Sequence, residues 1–154
     1  MAYKGMYQLI NEEKYKGNTC DGKIKYLSLW ERTVMKFFDN SSCILSWIAP
    51  TGNKDLCVPY LFPDPKTKQL KAHRYYPDFV ILAKTNDGKE KVIMIEVKPL
   101  SQTLPPKQPK KKTRKYFTIC KTYAVNITKW DAATKFCKER NWKFQIITEK
   151  NIYG

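Results

Sequence analysis

At 154 residues, with 42% hydrophobic and 14% aromatic content, the chain suits one domain with one core and needs no covalent staples. Lysine and arginine total 29 against 14 acids, a net charge of +15. That favours a polyanionic partner, nucleic acid or an acidic membrane surface, over a small metabolite. No run reaches the ~18 apolar residues of a membrane span, and no signal or lipidation pattern is present, so no membrane role is expected. The five cysteines include no C-x-x-C pair and His73 is the sole histidine. Zinc ribbons and multi-histidine sites are therefore set aside, and reduced thiols packed as small apolar groups in a cytoplasmic protein are expected.

Residues 1–25 are polar and rich in Lys, Asn and Gly, an N-terminal arm or irregular entry segment ahead of a domain over 26–154. Residues 26–39 read as a helix with Ser28 as N-cap and Trp30, Val34, Phe37 and Phe38 on its apolar side. Short strands follow at 43–49 and 56–62, closed by the turn Pro63-Asp64-Pro65. The clearest strands are 76–83 and 91–97, joined at Asn86-Asp87-Gly88. Residues 99–115 hold Pro99, Pro105, Pro106 and Pro109 and form a basic loop, not a continuous helix or central strand. A second helix starts at 116, with Asn126, Trp130, Ala133 and Cys137 at helical spacing, and stops near Asn141; a last strand covers 144–148. This order predicts a small α/β or α+β domain around a mixed sheet.

The charge is uneven. Residues 97–130 contain no acid and carry Lys98, Lys107, Lys110, Lys111, Lys112, Arg114, Lys115, Lys121 and Lys129. Such runs are often only solvated loops. This one joins a strand to a helix within the domain, which favours Lys107, Lys110, Lys111, Lys112, Arg114 and Lys115 as contacts to a phosphate backbone.

Pro77-Asp78 opens one hairpin strand and Glu96-Val97-Lys98 ends the other. A three-residue loop pairs Thr85 with Lys89 and sets Asp78 opposite Glu96, on one face with Lys98. A two-residue loop separates them. Adjacent carboxylates repel unless a cation lies between them, and Mg²⁺ takes one or two carboxylates plus water and phosphate oxygens. Asp78, Glu96 and the Val97 carbonyl are the candidate ligands, and Lys98 the group that positions water and stabilises charge on phosphate. A cross-strand salt bridge is the ordinary alternative. It suits these strands poorly, because Phe79-Val80-Ile81-Leu82 and Val92-Ile93-Met94-Ile95 are apolar enough to be covered on both faces. Glu31 has two readings: the capping-box partner of Ser28, which spacing favours, or a third acid aimed at the metal cluster.

The pattern P-D-x(17)-E-V-K is that of the PD-(D/E)XK nuclease superfamily. With Tyr26-x-Ser28-Leu29-Trp30-Glu31, Arg74-Tyr75-Tyr76-Pro77-Asp78-Phe79, Glu96-Val97-Lys98-Pro99 and Asn126-x-x-Lys129-Trp130, the chain resembles the head completion nucleases of tailed bacteriophages and the catalytic domain of TnsA-type endonucleases. The resemblance implies a restriction-endonuclease-like mixed sheet flanked by helices and Mg²⁺-dependent DNA cleavage, with Mn²⁺ as a substitute. It assigns Asp78 and Glu96 to the metal, Lys98 to the attacking water and Glu31 to the role of helix-borne acid. It also implies action in the host cytoplasm late in capsid maturation, with portal or neck proteins as possible partners and possible incorporation into the virion. His73 and Arg74 are candidate phosphate contacts or plain surface residues, Lys129 a candidate for the site from the second helix, and Trp30, Trp130 and Trp142 core residues. Two other functions fit the same features: a DNA- and portal-binding assembly protein with incidental cleavage, and a dimeric resolvase of branched DNA.

Overall fold

The computed structural model describes residues 3–153. In chain order the strands and α-helices are β1 (Gly5–Gln8), β2 (Lys23–Tyr26), α1 (Leu29–Asn40), β3 (Ile44–Ile48), β4 (Val58–Pro63), β5 (Leu70–Tyr75), β6 (Phe79–Lys84), β7 (Glu90–Val97), α2 (Arg114–Glu139), β8 (Lys143–Ile147) and α3 (Glu149–Tyr153). The central sheet has the order β3–β6–β7–β8. Its first three strands are antiparallel, and β8 joins β7 in parallel. A parallel partner requires a crossover, and α2 supplies it. The result is the expected α/β domain, a restriction-endonuclease-like mixed sheet flanked by helices.

Strand alternation divides the interior in two. Phe79, Ile81, Ala83 and Ile95 face one layer with Val34, Met35 and Phe38 of α1 and Trp47 of β3. Val80 and Met94 face the other, with Trp130, Ala133 and Cys137 of α2 and Val58 and Tyr75 of the β4–β5 hairpin. Both faces of β6 and β7 are covered, which is why their sequences are almost uninterruptedly apolar.

Four expectations are corrected. The entry segment is not an irregular arm over its described length, and the first two residues of that reading lie outside the described residues. β1 and β2 pair as an antiparallel ribbon, and Tyr7, Leu9 and Ile24 enter the core. Asp39, fully buried on α1, anchors this segment by accepting bonds from the Tyr7 hydroxyl (2.7 Å) and from the Ile10 (2.8 Å) and Asn11 (2.9 Å) N–H groups. Phe37 is 57% exposed, because α1 turns Val34, Met35, Phe38 and Asp39 inward instead. The thiols are free, but only Cys137 is buried; Cys20 and Cys43 are exposed. Finally, β5 and α3 form where no element was expected. Leu70–Tyr75 is mostly exposed apart from its buried last residue and shows no clear apolar alternation, and it becomes a strand by pairing with β4.

The second helix begins within the Pro- and Lys-rich stretch, at Arg114, with the Thr113 hydroxyl accepting from the Tyr116 N–H (3.2 Å). It stops where Asn141 takes a left-handed conformation (φ 58°) and the Trp142 N–H bonds back to the Cys137 carbonyl (2.7 Å).

Candidate active site

Asp78 and Glu96 meet at one end of the β6–β7 pair because the turn fixes the register. Thr85 N–H donates to the Lys89 carbonyl (2.8 Å) and Gly88 adopts φ 81°, so Lys84 pairs with Glu90 and Phe79 with Ile95. Asp78, one residue before Phe79, then reaches across the ladder, and its Oδ2 accepts the Val97 N–H at 2.8 Å. Pro77 is fully buried and fixes the approach of the chain to Asp78. Lys98, next to Val97, places Nζ 3.8 Å from Glu96 Oε1.

Glu96 is 7% exposed and receives a hydrogen bond from the Tyr75 hydroxyl on Oε2. Burial first, then the Asp78 charge, pushes the Glu96 carboxyl up to about 7. Burial also raises Asp78, against the opposing pull of the Val97 N–H and of Lys98. Burial and the Asp78 charge raise Glu31 as well. Its backbone N–H bonds to Ser28 Oγ, and Oε2 accepts from the same hydroxyl, both at 3.2 Å. Cap partner and member of the acid group are thus one arrangement: α1 carries Glu31 to the end of the sheet where it feels both Asp78 and Lys98. Among the described residues no three His, Cys, Asp or Glu side chains gather tightly enough to enclose a metal ion by themselves. A buried and a half-buried carboxylate side by side are nonetheless the kind of donor set that suits Mg²⁺, which takes one or two carboxylates and completes its shell with water and phosphate oxygens.

Residues 50–149 match the family model described as TnsA-like endonuclease N terminal. The chain belongs to that family. It is also 32% identical to the head completion nuclease of Enterobacteria phage T4 over 156 aligned positions, covering 99% of this chain and 95% of that protein. The family match spans β6, β7 and α2, hence Asp78, Glu96 and Lys98, whereas Glu31 lies in the part aligned by the phage relative.

Tyr75 is the site residue that sequence reasoning gave no role. Its ring is buried, and burial and the Glu96 charge hold its hydroxyl proton firmly in place, so it remains a donor. The available signal was its position three residues before Asp78; the structure puts it at the buried end of an otherwise largely exposed strand. Lys129 closes the group from α2, with Nζ 5.9 Å from the Tyr75 ring centroid and its charge favouring ionised Glu96. Tyr75→Phe is expected to weaken divalent-cation binding by about tenfold, since one hydrogen bond to a charged group is removed and the ring packing is kept. Titration calorimetry with Mg²⁺ checks this directly.

The basic residues are placed differently. Lys107, Lys110, Lys111 and Lys112 lie exposed on the irregular part of the loop, beyond a short 3₁₀ turn at Leu100–Thr103. Arg114 and Lys115 are exposed in the first turn of α2, which contains no acid. Cations are unfavourable at the positive end of a helix dipole, and a bound anion reverses that balance. A cavity of about 430 Å³ between Ser101–Pro106 and α2 contains none of the site acids in its lining. Trp130 is buried, while Trp30 and Trp142 are half-buried.

Proposed function

We propose that this chain is a divalent-metal-dependent endodeoxyribonuclease that hydrolyses DNA phosphodiesters during phage head completion, after packaging. The observation that carries the reading is the convergence of Asp78, Glu96 and Lys98 at one sheet end, with Asp78, Glu96 and Glu31 all held above their ordinary range by burial, and Glu96 and Glu31 also by the Asp78 charge. Membership of an endonuclease family and the likeness to a head completion nuclease support it.

Asp78, Glu96 and the Val97 carbonyl would hold Mg²⁺, with Glu31 acting from α1. When bound, such an ion polarises a phosphate and acidifies a bound water. The protein's own groups do the positioning. The Val97 N–H orients Asp78, and the Tyr75 hydroxyl orients Glu96. Lys98 presents an ammonium beside Glu96, placed to orient the attacking water and to offset charge developing on the phosphate. The loop cations and the α2 N-terminus hold the backbone of the strand. No pattern for reading base edges is evident, so interactions with the backbone dominate affinity.

Supercoiled plasmid incubated with Mg²⁺, Mn²⁺ or EDTA is the direct test. Nicking or linearisation only with a divalent cation is expected; an inert protein that still shifts DNA would leave a binding and assembly module instead. Binding is expected to weaken steeply with salt. Replacing Lys110, Lys111 and Lys112 by Ala should flatten the log–log salt dependence by about 0.9 for each phosphate no longer neutralised, read by fluorescence anisotropy in EDTA.

A further inference from the structure

Resting on the nuclease reading above, we propose that the cleft between the β4–β5 hairpin and α2 takes one unpaired nucleobase of the strand being cut. The preferred substrate class is then frayed, flapped or otherwise locally unpaired DNA.

Tyr60 and His73 are direct cross-strand partners, and their rings stack at 5.3 Å with planes 22° apart. Both are half-buried, so the stack is open to a further ring. They line a cleft of about 290 Å³ with Phe62, Lys71, Lys121 and Val125. That volume is at the lower end of the ~300–1,000 Å³ typical of small-molecule sites and gives room for a single base. Aromatic faces flanked by lysines are the chemistry that recognises an unstacked base with its phosphate. Asp64 at the rim is no obstacle. Its Oδ1 already accepts the Lys66 (2.8 Å) and Thr67 (3.2 Å) N–H groups of the hairpin turn.

The cleft is aligned with the acids. His73 and Tyr75 share a face of β5, ~7 Å apart, about two base steps of duplex. Tyr75 in turn holds Glu96. On α2, Lys121, Val125 and Lys129 follow at successive fourth positions along one side. Lys121 and Val125 border the cleft, and Lys129 packs over Tyr75. One helix edge and one strand thus frame a cation-lined track from the aromatic pair to the carboxylates. Tyr60 also packs against the core beneath the hairpin, so its ring is held in place, while the far half of the hairpin is exposed, Leu61 and Leu70 included.

The test uses flapped and fully paired duplexes carrying 2-aminopurine two nucleotides from the junction, bound in EDTA so that no strand is cut. Binding of the flapped duplex is expected to change the fluorescence, and wild type is expected to prefer it over the paired duplex by about tenfold, the scale of one base–aromatic stack. The double variant Tyr60→Ala/His73→Ala should lose both effects. Tyr60→Phe and His73→Phe should keep them, and Lys89→Ala, in the β6–β7 turn at the far end of the sheet from the acids, should leave the ratio unchanged. Circular dichroism verifies that each variant is folded. The proposal is overturned by an unchanged fluorescence signal, or by wild type binding both duplexes equally. It is also overturned if Lys71→Ala and Lys121→Ala weaken both duplexes alike while the double aromatic variant changes nothing, since the cleft would then seat only phosphate. A protein that cuts plasmid but fails these criteria loses the cleft alone; one that meets them but never cuts with any divalent cation loses the nuclease reading and keeps the cleft.

Discussion

Asp78→Asn and Lys98→Met are each expected to abolish plasmid cleavage, by at least about a hundredfold, without unfolding the protein. The substitutions separate chemistry from structure. Asn keeps an oxygen to accept the Val97 N–H that Asp78 accepts at 2.8 Å, so the ladder end stays closed. Met keeps the apolar stem of the half-buried Lys98 and deletes only the ammonium 3.8 Å from Glu96. Loss of one group that stabilises transition-state charge costs about 10²–10³ in rate, or ~2.7–4 kcal/mol. The two variants should differ in binding. Asp78→Asn should lose Mg²⁺ affinity in calorimetry, whereas Lys98→Met should retain it and fail at the chemical step. Full cleavage by either variant would remove that residue from the site. If Lys98→Met proved inert on plasmid yet supported normal phage assembly, the biological role would belong to binding and not to hydrolysis.

How far the sequence predicts this site depends on the range of each interaction. The register of β6 and β7 was readable because it is local: a three-residue loop with Gly88 in the left-handed region and strict period-two alternation leave Asp78 one place to go. The mixed sheet was readable for a similar reason, since two apolar strands and a helical period separated by a proline-rich loop leave few topologies. Tyr75 was not readable. Its partner lies 21 residues away, and closeness to Asp78 in sequence does not by itself say that its hydroxyl meets Glu96. The ribbon was missed because its support is likewise remote: Tyr7, Ile10 and Asn11 are held by Asp39 from across the fold. Glu31 shows the opposite case. Spacing offered a helix cap or a site acid as rivals, and the fold makes them one, because the N-terminus of α1 lies at the end of the sheet that holds Asp78.

The metal-free protein is expected to lose stability as pH rises from about 4.5 to 7, by about 3 kcal/mol. Burial and the Asp78 charge lift the Glu96 carboxyl from an ordinary 4.5 to about 7 in the folded state. Below the lower value both folded and unfolded chains are protonated at Glu96. Between the two values only the unfolded chain ionises, so it gains free energy that the folded chain does not, and the difference levels off above about 7. Glu31 and Asp78 are raised too and add slope of the same sign. Asp64 and Asp87, held below the usual carboxylate range by hydrogen bonds within their turns, act in the opposite sense. They do so below about pH 4, outside this window. Thermal melts in EDTA across pH 4 to 8 read the effect directly, and at this size ~1 kcal/mol corresponds to roughly 2–4 °C. Glu96→Gln should flatten the profile and raise the melting temperature at pH 7.5, since Gln can still accept the Tyr75 hydroxyl proton and carries no charge to desolvate. Mg²⁺ added to the native protein should recover much of the same stability, because a cation between the two carboxylates favours their ionised forms, and it should do little for Glu96→Gln. A flat native profile, or equal stabilisation of both proteins by Mg²⁺, would mean that the paired acids are not what this end of the sheet holds under strain. The strain has a functional sense: a site that is costly to keep ionised when empty is one that a divalent cation can occupy at neutral pH with a gain in stability.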